Sequence, residues 1–127
     1  MDDAGTGGTA AMMLRPGQLV LVDWRDALPK DPNKRRPAVV VEDSDLFDPS
    51  YPNLILVPLT DDADLAIADL AVEIPPTSEN GCTKTCFALS HHVTTTSKRR
   101  ITPTDSHIGA SQLTEIRRRI AQAIGLE

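Results

Sequence analysis

The chain has 127 residues, 40% hydrophobic and 24% charged, a size for one domain with a modest core and a composition that excludes wholesale disorder. No apolar run reaches the ~18–20 residues of a membrane span and the N-terminus lacks a basic-then-apolar leader, so a cytoplasmic chain with no membrane partner is expected. Two cysteines, Cys82 and Cys86, are too few for a disulfide framework, and the net charge of −5 weighs against generic nucleic-acid binding. Met1–Leu14 is small, Gly/Thr/Ala-rich and aperiodic, the composition of a flexible tail ahead of one domain over 15–127. Arg15-Pro16-Gly17 punctuates the chain, and Gln18–Trp24 follows as a strand with apolar residues on both faces, so a central one. Arg25–Arg35, with two prolines and several charges, is expected as a long polar loop.

Arg36–Thr60 carries the strongest pattern. Two β-branched-rich runs, Ala38–Val41 and Leu54–Val57, flank a connection rich in Asp, Ser and Pro. That connection is too short and broken for a helical crossover, so the strands should pair antiparallel. The start of the first then lies beside the end of the second, bringing the Arg36 guanidinium toward the Thr60 hydroxyl as a small anion or phosphate site. Leu46, Phe47 and Tyr51 are expected to cap one end of the core, and Pro58, lacking a ladder donor, to put its strand at an edge or leaving the sheet. Asp61–Ala68 reads as an acidic loop. Leu70–Ile74, Thr85–Leu89 and Val93–Ser97 read as short strands, and Arg99–Ile101 with Pro103 as the end of the strand-rich part. Ser111 is placed as an N-cap, with Leu113, Ile116, Ile120 and Ile124 at helical spacing behind it and Gly125 closing the helix. Five or six short strands and one C-terminal helix imply a mainly β (α+β) fold, a small β-barrel or strongly twisted antiparallel sheet with the helix packed on it.

Charge is unevenly distributed. Between Pro37 and Thr83 no Lys or Arg occurs, whereas acidic residues are frequent. Basic residues gather at Lys30-Lys34-Arg35-Arg36, at Lys98-Arg99-Arg100 and at Arg117–Arg119. If the first two clusters meet, an anion-binding face survives the acidic total; otherwise all three are solvated surface.

The order Pro-Gly-Gln-Leu-Val-Leu-Val-Asp-Trp, polar loop, Arg-Arg-Pro-Ala-Val-Val-Val, then Leu-Ile-Leu-Val-Pro-Leu-Thr resembles the MazF/PemK toxins of bacterial type II toxin–antitoxin modules. The likeness runs over roughly residues 15–125, through Gly81–Ile101 to Ile108-Gly109 and the terminal helix. It implies an SH3-like or CcdB-like barrel that is usually homodimeric and is held silent by a cognate antitoxin. It also implies endoribonuclease activity, independent of metal or other cofactor, on single-stranded RNA such as mRNA, leaving 2′,3′-cyclic phosphate and 5′-hydroxyl ends. The family's catalytic arginine falls on Arg36 and its active-site threonine on Thr60. Charge grows on the non-bridging phosphate oxygens in such a reaction, and an arginine fork with a hydroxyl donor suits it. Arginine is a poor general base, so Arg36 is assigned to charge stabilisation, with proton delivery to the leaving oxygen as a second role open to it, and no base is assigned.

The sequence departs from the family in three places. The family's Asp-Gln pair is replaced by His91-His92, which are either catalytic acid/base candidates or structural residues; on a strand only one of them would face the groove. A basic residue is lost at Thr94, and Lys98, Arg99 and Arg100 are the candidates to offset it, with Arg100 best matching the family's recurrent arginine. Lys34, Arg35, Lys98 and Arg100 are the candidate phosphate contacts. Asp61, Asp62 and Asp64 directly follow Thr60 and would repel a polyanion unless they pair or turn away. Cys82-x3-Cys86 followed by two histidines allows a zinc site, but the spacing is not that of a standard knuckle and buried thiols are the alternative, so no metal is assigned. Three functions therefore remain open: a ribonuclease toxin, a non-enzymatic toxin of the CcdB kind acting on a protein such as DNA gyrase, and a degenerate binding module of the same fold.

Overall fold

The computed structural model describes residues 14–24 and 35–126. The expected N-terminal tail up to residue 13, most of the polar loop and Lys34 lie outside those residues. The described chain forms seven strands: β1 (Gln18–Asp23), β2 (Arg35–Val40), β3 (Asn53–Thr60), β4 (Ala71–Ile74), β5 (Cys86–Leu89), β6 (Thr94–Ser97) and β7 (Ile101–His107). One α-helix, α1 (Ala110–Ala123), follows. All pairings are antiparallel, in the order β4-β5-β3-β2-β1-β7, with β6 pairing β3 off that path. The two outer strands, β4 and β7, do not pair with each other among the described residues, so the sheet curls without closing.

Each face of the sheet has its own core because the strands alternate. Leu19, Val39, Val41, Val57 and Leu59 point to one face, where Ile116 of α1 is fully buried among them with Val72, Ile74 and Ala88. Val20, Val22, Ala38, Val40, Leu54 and Leu56 point to the other, joined by Ile101 and partly by Leu14 and Trp24. A strand buried on both sides must read as a continuous apolar run, which is why β1, β2 and β3 are so plain in the sequence. Leu14 therefore packs on the domain rather than belonging to a free tail. The expected capping by Leu46 and Tyr51 is not observed. Leu46 is 74% and Tyr51 47% exposed, and only Phe47, tilted against Tyr51, is half-buried.

Three further expectations are corrected. Arg99–Ile101 and Pro103 do not end the strand-rich part; they lead into β7, a seven-residue strand. Pro103 is tolerated because, among the described residues, β7 is an edge strand that pairs only with β1. The register shifts between Gln18 and Val20, and side chains bridge the irregularity: Thr104 Oγ1 donates to the Leu19 carbonyl and Gln18 Nε2 donates to the Thr104 carbonyl at 2.9 Å. Ser111 is not the N-cap. Gly109 is, and its N–H donates to Gln112 Oε1 at 2.9 Å, while Gly125, at φ +88°, follows the helix end as expected.

Pro58 does not mark an edge either. β3 is central, but its outer neighbour changes along its length, from β6 beside Asn53–Leu56 to β5 beside Leu59–Thr60. Pro58 falls in the gap, where no partner needs its N–H. The Ser90–His92 3₁₀ turn spans that gap, so the histidine pair sits on a turn and not on a strand.

The third basic cluster is used by the fold. Arg117 donates through Nε to the Val41 carbonyl and through a terminal nitrogen to the Glu42 carbonyl, both at 3.0 Å. Arg118 and Arg119 pair with Glu115, and Arg119 also reaches the Ala68 carbonyl.

Candidate active site

The β2–β3 ladder ends with Ala38 opposite Pro58; continued two residues, the same register brings Arg36 toward Thr60, and the two line the same depressions. Both side chains lie on the face away from α1, at the end where β2 begins and β3 finishes. On the far side of Thr60, β5 supplies Phe87 as its ladder partner. The Thr60 Oγ1 accepts the Asp62 N–H at 3.1 Å, which fixes the side chain and leaves the hydroxyl proton for an outside acceptor.

Two open depressions meet at Arg36, Leu59 and Thr60. One, of about 370 Å³, is completed by Arg35, Pro37, Asp61 and Cys86 on the α1 side. The other, of about 420 Å³, is completed by Trp24, Pro58, Leu65, Leu89, His92 and Thr94 on the opposite side. Arg36 and Thr60 thus form a shared lip, with a carboxylate beyond one flank and an imidazole beyond the other.

The acidic loop is partly neutralised. Lys84 Nζ lies 3.2 Å from Asp61 Oδ2, and Asp62 turns its carboxylate onto the Asp64 N–H at 2.9 Å to cap the Ala63–Leu65 turn. The sequence held the signal for the second of these, since Asp-Ala-Asp is an N-cap pattern. It held none for Lys84, which reaches Asp61 only because β5 returns beside β3.

The two basic clusters do converge. Val22 pairs with Arg36 on one side and with Ile101 on the other, while Asp23 pairs with Arg35. The exposed Arg35, Arg36, Arg99 and Arg100 therefore gather around the end of β1. Lys98 does not join them. It is 5% exposed and its ammonium donates to the Pro49 carbonyl at 3.0 Å, a tie between the β6–β7 turn and the β2–β3 connection.

The histidines separate as well. His92 is exposed and lines the second depression. His91 turns inward; its Nδ1 is buried without a hydrogen-bond partner, and its ring meets that of His92 edge-on at 4.4 Å between centroids. Burial, then the neighbouring His92, lowers the His91 pKa, which favours the neutral ring. Cys82 and Cys86 are free, half-buried thiols packed against the α1-side core. Burial first, then the Cys82 thiol, pushes Cys86 up to about 11. No group of three or more metal-ligating side chains occurs among the described residues, so the cysteine–histidine segment does not form a zinc set there.

Solved structures share this architecture. A MazE–MazF assembly from Deinococcus radiodurans superposes with a TM-score of 0.66 at 19% identity, covering 91% of this chain and 100% of that one. An endoribonuclease in complex with its cognate antitoxin, from a mycobacterial species, gives a TM-score of 0.70 at 16% identity over 91% and 98% of the two chains. The Mycobacterium tuberculosis toxin MazF-mt6 gives 0.64 at 18% over 87% and 98%. Likeness at these identities defines the class by its fold, that of the MazF toxins. No curated protein matches the chain in sequence. Residues 15–124 match the family described as PemK-like, MazF-like toxin of type II toxin–antitoxin system, and the chain belongs to that family.

Proposed function

We propose that this toxin is an endoribonuclease that cuts single-stranded RNA by transesterification at the Arg36–Thr60 lip, without a metal ion. The observation that carries this reading is the juxtaposition itself: a guanidinium and a hydroxyl with its proton to give, brought together just past the end of the β2–β3 ladder at the mouth of two depressions that both of them line. The 2′-hydroxyl of the substrate attacks the adjacent phosphorus, negative charge accumulates on the non-bridging oxygens, and Arg36 and Thr60 meet it with preorganised donors. The products are a 2′,3′-cyclic phosphate and a 5′-hydroxyl. Arg35 and Arg100 hold neighbouring phosphates, since they surround the same strand ends, and Lys34 is assigned the same role from its place next to Arg35 in the sequence. Lys98 is assigned to the fold. The active form is a homodimer in the cytoplasm, silenced by a cognate antitoxin; the antitoxin complexes among the structural relatives support that partner.

The test is incubation of the purified protein with a mixed single-stranded RNA in the presence of a magnesium chelator, beside Arg36→Ala and Thr60→Ala. Wild type is expected to cleave and leave cyclic-phosphate ends, and each variant to lose ~10²–10³ in rate, the usual cost of one oxyanion-type donor. Folded wild type that leaves the RNA intact refutes the proposal. Growth arrest that persists in both variants instead assigns the toxin to a protein target.

A further inference from the structure

We infer that Asp61 and His92 are the general base and general acid of this site, acting on opposite flanks of the scissile phosphate. The inference rests on the ribonuclease reading and assigns the two proton transfers to side chains beside the charge-stabilising Arg36 and Thr60.

The geometry begins with the two depressions. They share Arg36, Leu59 and Thr60, and beyond that lip the first adds the Asp61 carboxylate, along with the Cys86 thiol that burial pushes up to about 11, and the second adds the His92 imidazole. The first is bounded by Pro37 and Cys86, on the α1 side of the sheet, and the second by Trp24 and Pro58, on the other side. A phosphate seated on Arg36 and Thr60 therefore has a carboxylate to one side and an imidazole to the other.

In-line displacement at phosphorus needs that separation, because the entering 2′-oxygen and the leaving 5′-oxygen lie on opposite sides of the phosphorus. A base and an acid serving them stand roughly 9 Å apart, two hydrogen bonds of ~2.8 Å plus the O–P–O axis between them. His92 lines the second depression together with Pro58, which lies two residues and about 7 Å along β3 from Thr60. Asp61 follows Thr60 at the other end.

The roles follow from charge. An ionised carboxylate only accepts, so Asp61 takes the proton from the 2′-hydroxyl as the new O–P bond forms. His92, in its protonated form, delivers a proton to the 5′-oxygen as the P–O5′ bond breaks, and solvent then restores both groups. Lys84 engages Asp61 Oδ2 at 3.2 Å while the carboxylate stays 55% exposed, which tempers its repulsion of the phosphate without burying it. The groups facing His92 are Arg36 and Thr60 across the depression and the inward-turned His91 behind it.

The experiment compares two substrates: an ordinary RNA carrying one mapped cleavage site, and the same RNA with a 5′-bridging sulfur at that site. A thiolate leaves without being protonated. His92→Gln is expected to lose ~10²–10⁴ in rate on ordinary RNA and to return to within about tenfold of wild type on the sulfur-bridged RNA. Asp61→Asn is expected to lose a comparable amount on both, because the attack still needs its base. Equal losses for His92→Gln on the two substrates overturn the acid, and an Asp61→Asn variant as fast as wild type overturns the base. Wild type that cleaves neither substrate overturns the ribonuclease reading, and both assignments with it.

Discussion

Arg117→Ala should loosen the closed end of the β2–β3 hairpin. At that end the ladder between β2 and β3 is exchanged for side-chain contacts. The Val41 N–H still donates to the Ile55 carbonyl at 3.2 Å, but the reciprocal bond is missing. The Ile55 N–H goes to the Glu42 carboxylate at 3.2 Å, and the Val41 carbonyl accepts from Arg117. Removing the guanidinium strips charge-assisted donors from two carbonyls, Val41 and Glu42. Bonds to charged groups contribute ~1.5–3 kcal/mol each, so two at the low end would give about 3 kcal/mol; Arg117 is exposed enough for water to replace much of this, which halves the figure to about 1.5 kcal/mol in all. For a domain of this size that is roughly 5 °C in melting temperature. Glu42→Ala should cost somewhat more, about 2 kcal/mol, because Glu42 is only 8% exposed and the Ile55 N–H loses its acceptor. Arg117→Lys should recover less than half, since an ammonium cannot fork across two carbonyls. Urea unfolding followed by circular dichroism measures all three. An Arg117→Ala protein within about 0.3 kcal/mol of wild type would show that the exchanged ladder end is held by packing alone.

Other predictions test the charges and thiols. Glu115 is held down to about 2 by hydrogen bonds from Arg118 and then Arg119. A depressed carboxylate adds stability that is fully present above its unfolded value near 4.5 and is lost as pH falls through about 2. Carboxyl NMR should therefore show its midpoint near 2, moving upward in Arg118→Gln; a midpoint that stays put in the variant excludes the pairing. Lys98→Ala should destabilise the domain measurably, whereas Arg99→Ala should stay within about ±0.5 kcal/mol; equal effects in thermal unfolding would contradict a structural role for Lys98. Cys86, raised to about 11, should react with iodoacetamide at pH 8 roughly 100-fold more slowly than a thiol at its ordinary value, read by mass spectrometry. Rapid single-site alkylation at Cys86 would refute its burial.

The central hairpin is legible in the sequence because β2 and β3 are buried on both faces and must be apolar without interruption. The same logic hides β7. An edge strand needs only one satisfied side, so Thr102, Pro103, Thr104, Asp105 and Ser106 suffice there, and their composition resembles a loop. Of the site, Arg36 and Thr60 follow from strand register, which is a local property of two runs and their connection. Asp61 and His92 do not follow that way. Their positions on either flank depend on where β3 changes neighbours and on which histidine a 3₁₀ turn presents, and no periodicity records either. Lys98 shows the converse: three consecutive basic residues read as one surface cluster, yet the turn they form buries the first and exposes the next two.

Pro58 has an effect on what this scaffold can become. Beside it the outer flank of β3 is a seam, where one neighbouring strand has stopped and the next has not begun. In the Ser90–His92 turn Ser90 is buried and His91 turns inward, but the exposed His92 carries none of the sheet's ladder, so its side chain can be exchanged with little loss of strand pairing. The seam opens directly beside Arg36 and Thr60. A protein built this way keeps a fixed pair of donors in its ladder and a replaceable chemical group within reach of them, so new reactivity can be tried at a position on which folding does not depend.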